Sequence, residues 1–177
     1  MKTSRFVLLL FVMMTVFSFT VFARADMGLE VGPDDISLEG VLLGEKLSFS
    51  KIAGRPIALE IKNKSNRAFD YEINILYSLN TTAGLSYGYS DIPDTGWIIP
   101  ENKMIKVEAG QTGRLELYMA VPDDASYAGK AYQAVIEVKS MKDNPNDLFV
   151  LACQLRVFFT TRALTPVSSG AEPAKQE

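Results

Sequence analysis

MIKVEAGQTGRLELYMAVPDDASYAGKAYQAVIEVK, residues 104–139, writes three strands and two turns in one run. Leu115, Leu117, Met119 and Val121 alternate with Arg114, Glu116, Tyr118 and Ala120. That period of two places every second side chain on one side of an extended chain, as a half-buried strand requires. Tyr132, Ala134, Ile136 and Val138 repeat the pattern against Gln133, Glu137 and Lys139. The turns between are chemically explicit: Ala109-Gly110-Gln111-Thr112-Gly113 before the first strand, and Pro122-Asp123-Asp124 through Gly129 between the two.

Working outward, the same period recurs. Ile57, Leu59 and Ile61 alternate with Ala58, Glu60 and Lys62, and Asn63-Lys64-Ser65-Asn66 makes a turn. Tyr71, Ile73, Ile75, Tyr77 and Leu79 alternate with Asp70, Glu72, Asn74 and Ser78. Residues 36–43 and 47–49 read as a first strand broken at Gly44-Glu45, and residues 104–107 as a short one. A last strand over residues 148–160 carries Phe149, Leu151, Cys153, Leu155, Val157 and Phe159 on one apolar side. Residues 80–100 form the longest irregular stretch, with a brief strand at 97–99; loops of this length in compact domains tend to be functional or mobile. Seven to eight short strands, one apolar face each, and no amphipathic helix describe an all-β, antiparallel two-sheet sandwich. Unequal strand lengths and the long crossing loop favour it over a closed barrel.

The ends read differently. Lys2 and Arg5 precede an unbroken uncharged run over residues 6–23, and Ala23-Arg24-Ala25 offers a small-x-small cleavage pattern. Residues 1–25 are therefore expected to be a signal peptide cut after Ala25, an uncleaved anchor being the competing reading. Residues 26–34 form a polar lead, 35–162 the sandwich, and 163–177 a tail with little to bury, expected to be disordered. Removal of Lys2, Arg5 and Arg24 leaves 15 basic against 21 acidic residues, a net charge of −6 over 152 residues. An acidic surface is a poor counterion for phosphate, which argues against nucleic acid as a partner. Outside residues 1–25 no stretch is apolar enough to span a bilayer, so the expectation is an extracytoplasmic chain with no membrane contact after cleavage. Cys153 is the single cysteine and cannot form an internal disulfide; it reads as a small buried hydrophobe.

The residues 57–65, then Trp97-Ile98, then residues 107–122 and Gly129-Lys130-Ala131-Tyr132 resemble the immunoglobulin-like modules of bacterial extracytoplasmic proteins. Similar phrases occur in pilus-chaperone-like sandwiches, in glycosidase-associated modules and in WxL-interacting surface proteins. The resemblance covers residues 35–160 and implies an envelope module, with Tyr132 after Gly129 in the place of a tyrosine corner whose hydroxyl bonds upstream backbone. It departs from pilus chaperones in being too short for their two domains.

Chemistry-bearing motifs are few. Gly84-Leu85-Ser86-Tyr87-Gly88 matches the hydrolase pattern G-x-S-x-G, but there is no histidine to take the serine proton and no helix signal after it. The same lack removes the usual zinc ligands. Asp143, Asn144, Asn146 and Asp147, and separately Asp123 and Asp124, offer oxygens to calcium, yet turn chemistry explains both groups. No catalytic group, metal or cofactor is expected. Asn63-Lys64-Ser65 and Asn80-Thr81-Thr82 fit the glycosylation sequon, with meaning only in a eukaryotic secretory route. The most suggestive group is Tyr87, Tyr89, Ile92 and Trp97 in and after the long loop, since loop aromatics carry contact area and a polar handle. Trp97 has a competing role as a core residue. The function expected is a non-catalytic module binding protein partners in the cell envelope, through a free strand edge or this loop. The alternatives are a glycan- or wall-binding module, and a helper or subunit of a fimbria-like assembly.

Overall fold

The computed structural model describes residues 28–142 and 149–164. Twelve strands run in chain order: β1 (Leu29–Gly32), β2 (Asp35–Val41), β3 (Lys46–Ser48), β4 (Leu59–Asn63), β5 (Phe69–Leu76), β6 (Ser90–Asp91), β7 (Ile98–Pro100), β8 (Met104–Val107), β9 (Thr112–Leu115), β10 (Leu117–Ala120), β11 (Ala131–Ser140) and β12 (Ala152–Thr161). One short helix, α1 (Phe49–Ala53), and three single 3-10 turns complete the described chain.

One layer is the sheet β2-β12-β11-β5-β8, with β6 added alongside the start of β11. The other is made of two three-stranded sheets, β1-β4-β9 and β3-β10-β7. Apolar residues from both layers, among them Ile36, Leu59, Tyr71, Trp97, Leu117, Ile136 and Phe159, form one core cluster. The architecture is the expected immunoglobulin-like sandwich.

The seven or eight expected strands are realised as twelve pieces because several runs change partners midway. Residues 112–120 pair with β4 up to Leu115 and with β3 and β7 from Leu117, so the uninterrupted alternation of Leu115, Leu117 and Met119 crosses between two sheets at Glu116. All three side chains stay buried through the crossing. The polar lead of residues 26–34 contains β1, which pairs antiparallel with β4, Leu29 opposite Asn63 and Val31 opposite Ile61. Just after it, β2 pairs in parallel with β12, so the first two strands join opposite layers. Parallel pairing occurs only there and at β6–β11 among the named strands; every other ladder is antiparallel.

Three further runs fall short of their expected lengths. Phe49 opens α1 instead of continuing a strand: Ser48 Oγ caps the Lys51 N–H at 3.3 Å, and Gly54 closes the turn at φ 66°. Strand β5 stops at Leu76, so Leu79 is exposed while Ser78 is buried, reversing the expected alternation. The cause is Asp91, whose carboxylate accepts the Ser78 and Leu79 N–H groups at 2.7 and 3.2 Å and bends the chain into a 3-10 turn. At the other end, β12 begins at Ala152 and Phe149 is 70% exposed, because its apolar side outruns the sandwich. Cys153 is consequently half-buried, which corrects its expected burial. The expected signal peptide, most of the tail and the Asp143–Asp147 cluster lie outside the described residues.

Candidate functional site

The loop between β5 and β7 wraps the outer face of the six-stranded sheet. Along β11, Tyr132, Ala134, Ile136 and Val138 belong to the core, so Gln133 and Val135 point to the opposite face, where polar residues are the rule. Both are nevertheless wholly buried. Gln133 Oε1 accepts the Ser86 N–H at 2.8 Å and its Nε2 donates to the Gly84 carbonyl at 2.7 Å. One amide thus satisfies a donor and an acceptor two residues apart, and holds that stretch of loop against the sheet.

Two more ties flank it. Asp91 holds Ser78 and Leu79 at the loop's start, and β6 pairs Ser90 and Asp91 with Tyr132 and Gln133 at its end. The Ile92 N–H then donates to the Gln133 carbonyl at 2.9 Å. Gly84 and Gly88 take φ of 63° and 87°, conformations that side-chain-bearing residues rarely adopt, so the G-x-S-x-G spacing is a turn requirement. Ser86 is fixed through its backbone. The chain has no histidine to serve it as a base, and the motif's two glycines are accounted for by the turn.

The four aromatic or apolar residues singled out from the sequence separate. Tyr87 is fully exposed at the loop tip, with a relative accessibility of 104%. Tyr89 is half-buried and rests on Phe158, ring centroids 4.9 Å apart. Ile92 and Trp97 belong to the core, which corrects their inclusion in a surface cluster. Trp97 sits edge-on to Tyr127 at 4.8 Å and to Tyr132 at 5.5 Å, closing one end of the sandwich with Phe159 at 6.4 Å. Three more apolar side chains of this segment are exposed besides Tyr87: Leu79, Leu85 and Tyr77. Leu79 and Tyr77 had looked like strand residues, and Leu85 carries no signal beyond its loop position.

Tyr132 is buried, and its hydroxyl makes no hydrogen bond with the described residues, so it does not form the expected corner bond. Burial, followed by the neighbouring Tyr127, raises its pKa. Gly129 turns at φ 66° and its N–H donates to Arg162. Asp124 caps the 3-10 turn Ala125–Tyr127 by accepting the Ser126 N–H at 2.8 Å, and that backbone bond holds its carboxyl below the usual range. Asn63 of the first sequon is wholly buried. Its Nδ2 donates to the carbonyls of Arg67 and Val107, and its Oδ1 accepts the Ser65 N–H. Among the described residues no three acidic, cysteine or histidine side chains gather as a metal cluster.

Two shallow clefts flank the sandwich. One, of about 370 Å³, lies between β5 and β7 and is walled by Ile73, Ile75, Ile98, Ile99 and Pro100, with Lys103 its sole charged lining residue. The other, of about 270 Å³, has Asp35, Arg55 and Glu60 on its rim. Asp35 is taken by a two-point bond to Arg156 at 3.0 and 2.7 Å, and Glu60 by Arg114 at 2.8 Å.

No family model and no curated protein matches the sequence. Among solved structures, the fold is similar to a PapD-like domain of human CEP192, at 9% identity and TM-score 0.52, covering 78% of this chain and 88% of that one. It is similar to the Escherichia coli chaperone DraB, at 11% identity and TM-score 0.50, over 78% of this chain and 58% of that one. A chain of the Salmonella enterica complex of the SafA pilin with the SafB chaperone matches at 13% identity and TM-score 0.52, over 81% and 59%. The chain thus spans under two thirds of these two bacterial matches. The architecture is a PapD-like immunoglobulin sandwich resembling pilus chaperones.

Proposed function

We propose that this chain is a non-catalytic interaction module of the cell envelope that binds a protein partner through its long loop. The observation that carries the reading is that one segment, residues 77–90, carries four exposed apolar side chains, Tyr77, Leu79, Leu85 and Tyr87, while the other exposed ones fall at Met104, Met141, Phe149, Val150 and Leu164. Apolar side chains exposed on a folded surface gain free energy when a partner removes them from water. Leucines beside the tyrosines favour a protein partner, since a sugar ring stacks on aromatic faces and gains little from a branched aliphatic chain. The PapD-like architecture is compatible with such a role, and the short uncharged run over residues 6–23 supports export with cleavage after Ala25.

A photo-crosslinking amino acid in place of Tyr87, activated in intact cells, tests the reading. A discrete protein adduct is expected; no adduct at this position or at Leu85 sinks it. N-terminal sequencing of the exported chain should begin at Asp26, and retention of residues 1–25 would overturn the cleavage. The alternative of a glycan or wall ligand rests on the single fully exposed ring of Tyr87, and retention of the chain on purified wall polysaccharide, lost in Tyr87→Ala, would favour it. The reading as helper of a fimbria-like assembly draws on the likeness to the pilin–chaperone complex, and co-purification of a pilin-like subunit would select it.

A further inference from the structure

Resting on the reading of a loop-borne protein site, we infer that residues 77–90 form a preformed, charge-free recognition surface whose shape is imposed by Gln133, and that it takes an uncharged apolar patch of its protein partner. Three observations converge. The first is composition: from Tyr77 to Ser90 there is no charged residue, in a chain where 22% of residues are charged. Three tyrosines, three serines and two glycines fill much of the stretch. Binding loops of antibodies use the same mixture, because tyrosine gives rigid contact area at low entropic cost while serine and glycine adapt to the partner.

The second is preorganisation. A wholly buried amide is costly to place on the outer face of a sheet unless both of its ends are bonded, and here they serve the loop alone. With Asp91 tying Ser78 and Leu79, and Tyr89 seated on Phe158, the loop is held before, at and after the segment that presents Leu85 and Tyr87. Ordering that a loop has already undergone need not be repeated on binding, so the clamps convert exposed area into affinity.

The third is that the charges nearby are spent. Asp91 is occupied by backbone N–H groups, and Arg156, which leans over Phe158 at 5.4 Å, is bonded to Asp35 through both oxygens. A charged partner surface would lose hydration against a segment that carries no charge of its own, whereas an apolar one gives up none. The partner is therefore selected by shape and apolar contact, and binding is insensitive to salt.

The test uses the exported chain, immobilised and challenged with detergent-solubilised envelope extract at about 0.05 and 1 M salt, concentrations between which exposed charge pairs are heavily screened. Protein retained by wild type at both concentrations should fall at least tenfold with Leu85→Ala combined with Tyr87→Ala, two exposed positions whose truncation leaves the fold intact. Gln133→Leu removes the clamp and should cause a similar loss. Because that variant can also disturb folding, Gln133→Glu supplies the decisive arm. A protonated carboxyl reproduces the amide, donating to the Gly84 carbonyl and accepting from Ser86, while the buried carboxylate turns a lone pair on that carbonyl. Burial raises the pKa of that carboxyl, so capture by Gln133→Glu should hold at low pH and fail as pH is raised through its titration, in step with loss of hydrogen-exchange protection of the Ser86 amide, while wild type holds both constant. Retention that survives the Leu85/Tyr87 double substitution, that collapses in high salt, or that ignores pH in Gln133→Glu overturns the inference while leaving a protein-binding role intact. Retention of no protein, or of wall polysaccharide alone, removes the underlying reading as well.

Discussion

Two buried polar side chains of opposite standing give the sharpest prediction. Asn63 is wholly buried and fully used, with Nδ2 at 2.7 Å from the Arg67 carbonyl and 3.0 Å from that of Val107, and Oδ1 at 3.0 Å from the Ser65 nitrogen. It joins the end of β4 to the end of β8 and shapes the turn between β4 and β5. Asn63→Ala leaves the Val107 carbonyl and the Ser65 N–H short of a partner, at about 1–3 kcal/mol for each buried group, partly relieved where water enters at Arg67. We expect a net loss of about 3 kcal/mol. Tyr71 is the converse: its hydroxyl is buried and has no partner among the described residues, and burial raises its pKa. Tyr71→Phe removes a group whose desolvation costs about 1–3 kcal/mol and gives up only the contacts of one oxygen, so stability should rise by about 1 kcal/mol. At about 2–4 °C per kcal/mol for a chain of this size, the two midpoints should move by about −10 °C and +3 °C. Trp97, the one tryptophan and a core residue, reports both by fluorescence during urea and thermal unfolding. A loss below about 0.5 kcal/mol for Asn63→Ala, or a clear destabilisation by Tyr71→Phe, would refute the hydrogen-bond accounting, since surface-like substitutions stay within about that range.

Trp97→Ala should cost about 3–5 kcal/mol in urea unfolding, the range for emptying a large aromatic site, and a loss near 1 kcal/mol would place the ring outside the core. Arg156→Ala should cost under about 1 kcal/mol and the difference should vanish in high salt, because the pair with Asp35 is substantially exposed; a salt-independent loss would contradict this. Asp124 has a lowered pKa, so its contribution is present above the unfolded carboxylate pKa, near 3.9, and is lost as pH falls through the folded value. Asp124→Ala should therefore flatten the acid limb of stability against pH below about 4, and an unchanged limb would show that the cap is not felt. Gly129→Ala should destabilise by about 1 kcal/mol, since φ of 66° strains any side-chain-bearing residue, and a neutral result would place the turn elsewhere.

What the sequence made legible was local. The alternation of Leu115, Leu117 and Met119, and of Tyr132 through Val138, names core positions without knowledge of partners, because burial on one face is the whole content of a period of two. Which partner each strand takes depends on residues far away in the chain, so the crossing at Glu116 and the parallel pairing of β2 with β12 leave no periodic trace. Leu29 and Val31 make too short a pattern to stand out from a polar lead. Leu79 failed for another reason: Asp91, twelve residues on, offers its N–H a better acceptor than a continued ladder does. Phe149 and Cys153 were over-read because alternation continues past the point where the opposing layer ends. At the candidate site, Tyr87 was visible as a loop aromatic, whereas Gln133, 47 and 49 residues from the groups it bonds, looked like any outward polar residue of a strand.

The account stands on the loop over residues 77–90 being the surface that a partner covers. Hydrogen exchange of the purified exported chain, read by mass spectrometry with and without the protein it captures, addresses that directly. Slowed exchange confined to residues 77–90 and the adjoining start of β11 is the predicted result. Protection that appears instead along β8 or β2, with residues 77–90 unchanged, would assign recognition to a strand edge and contradict the account.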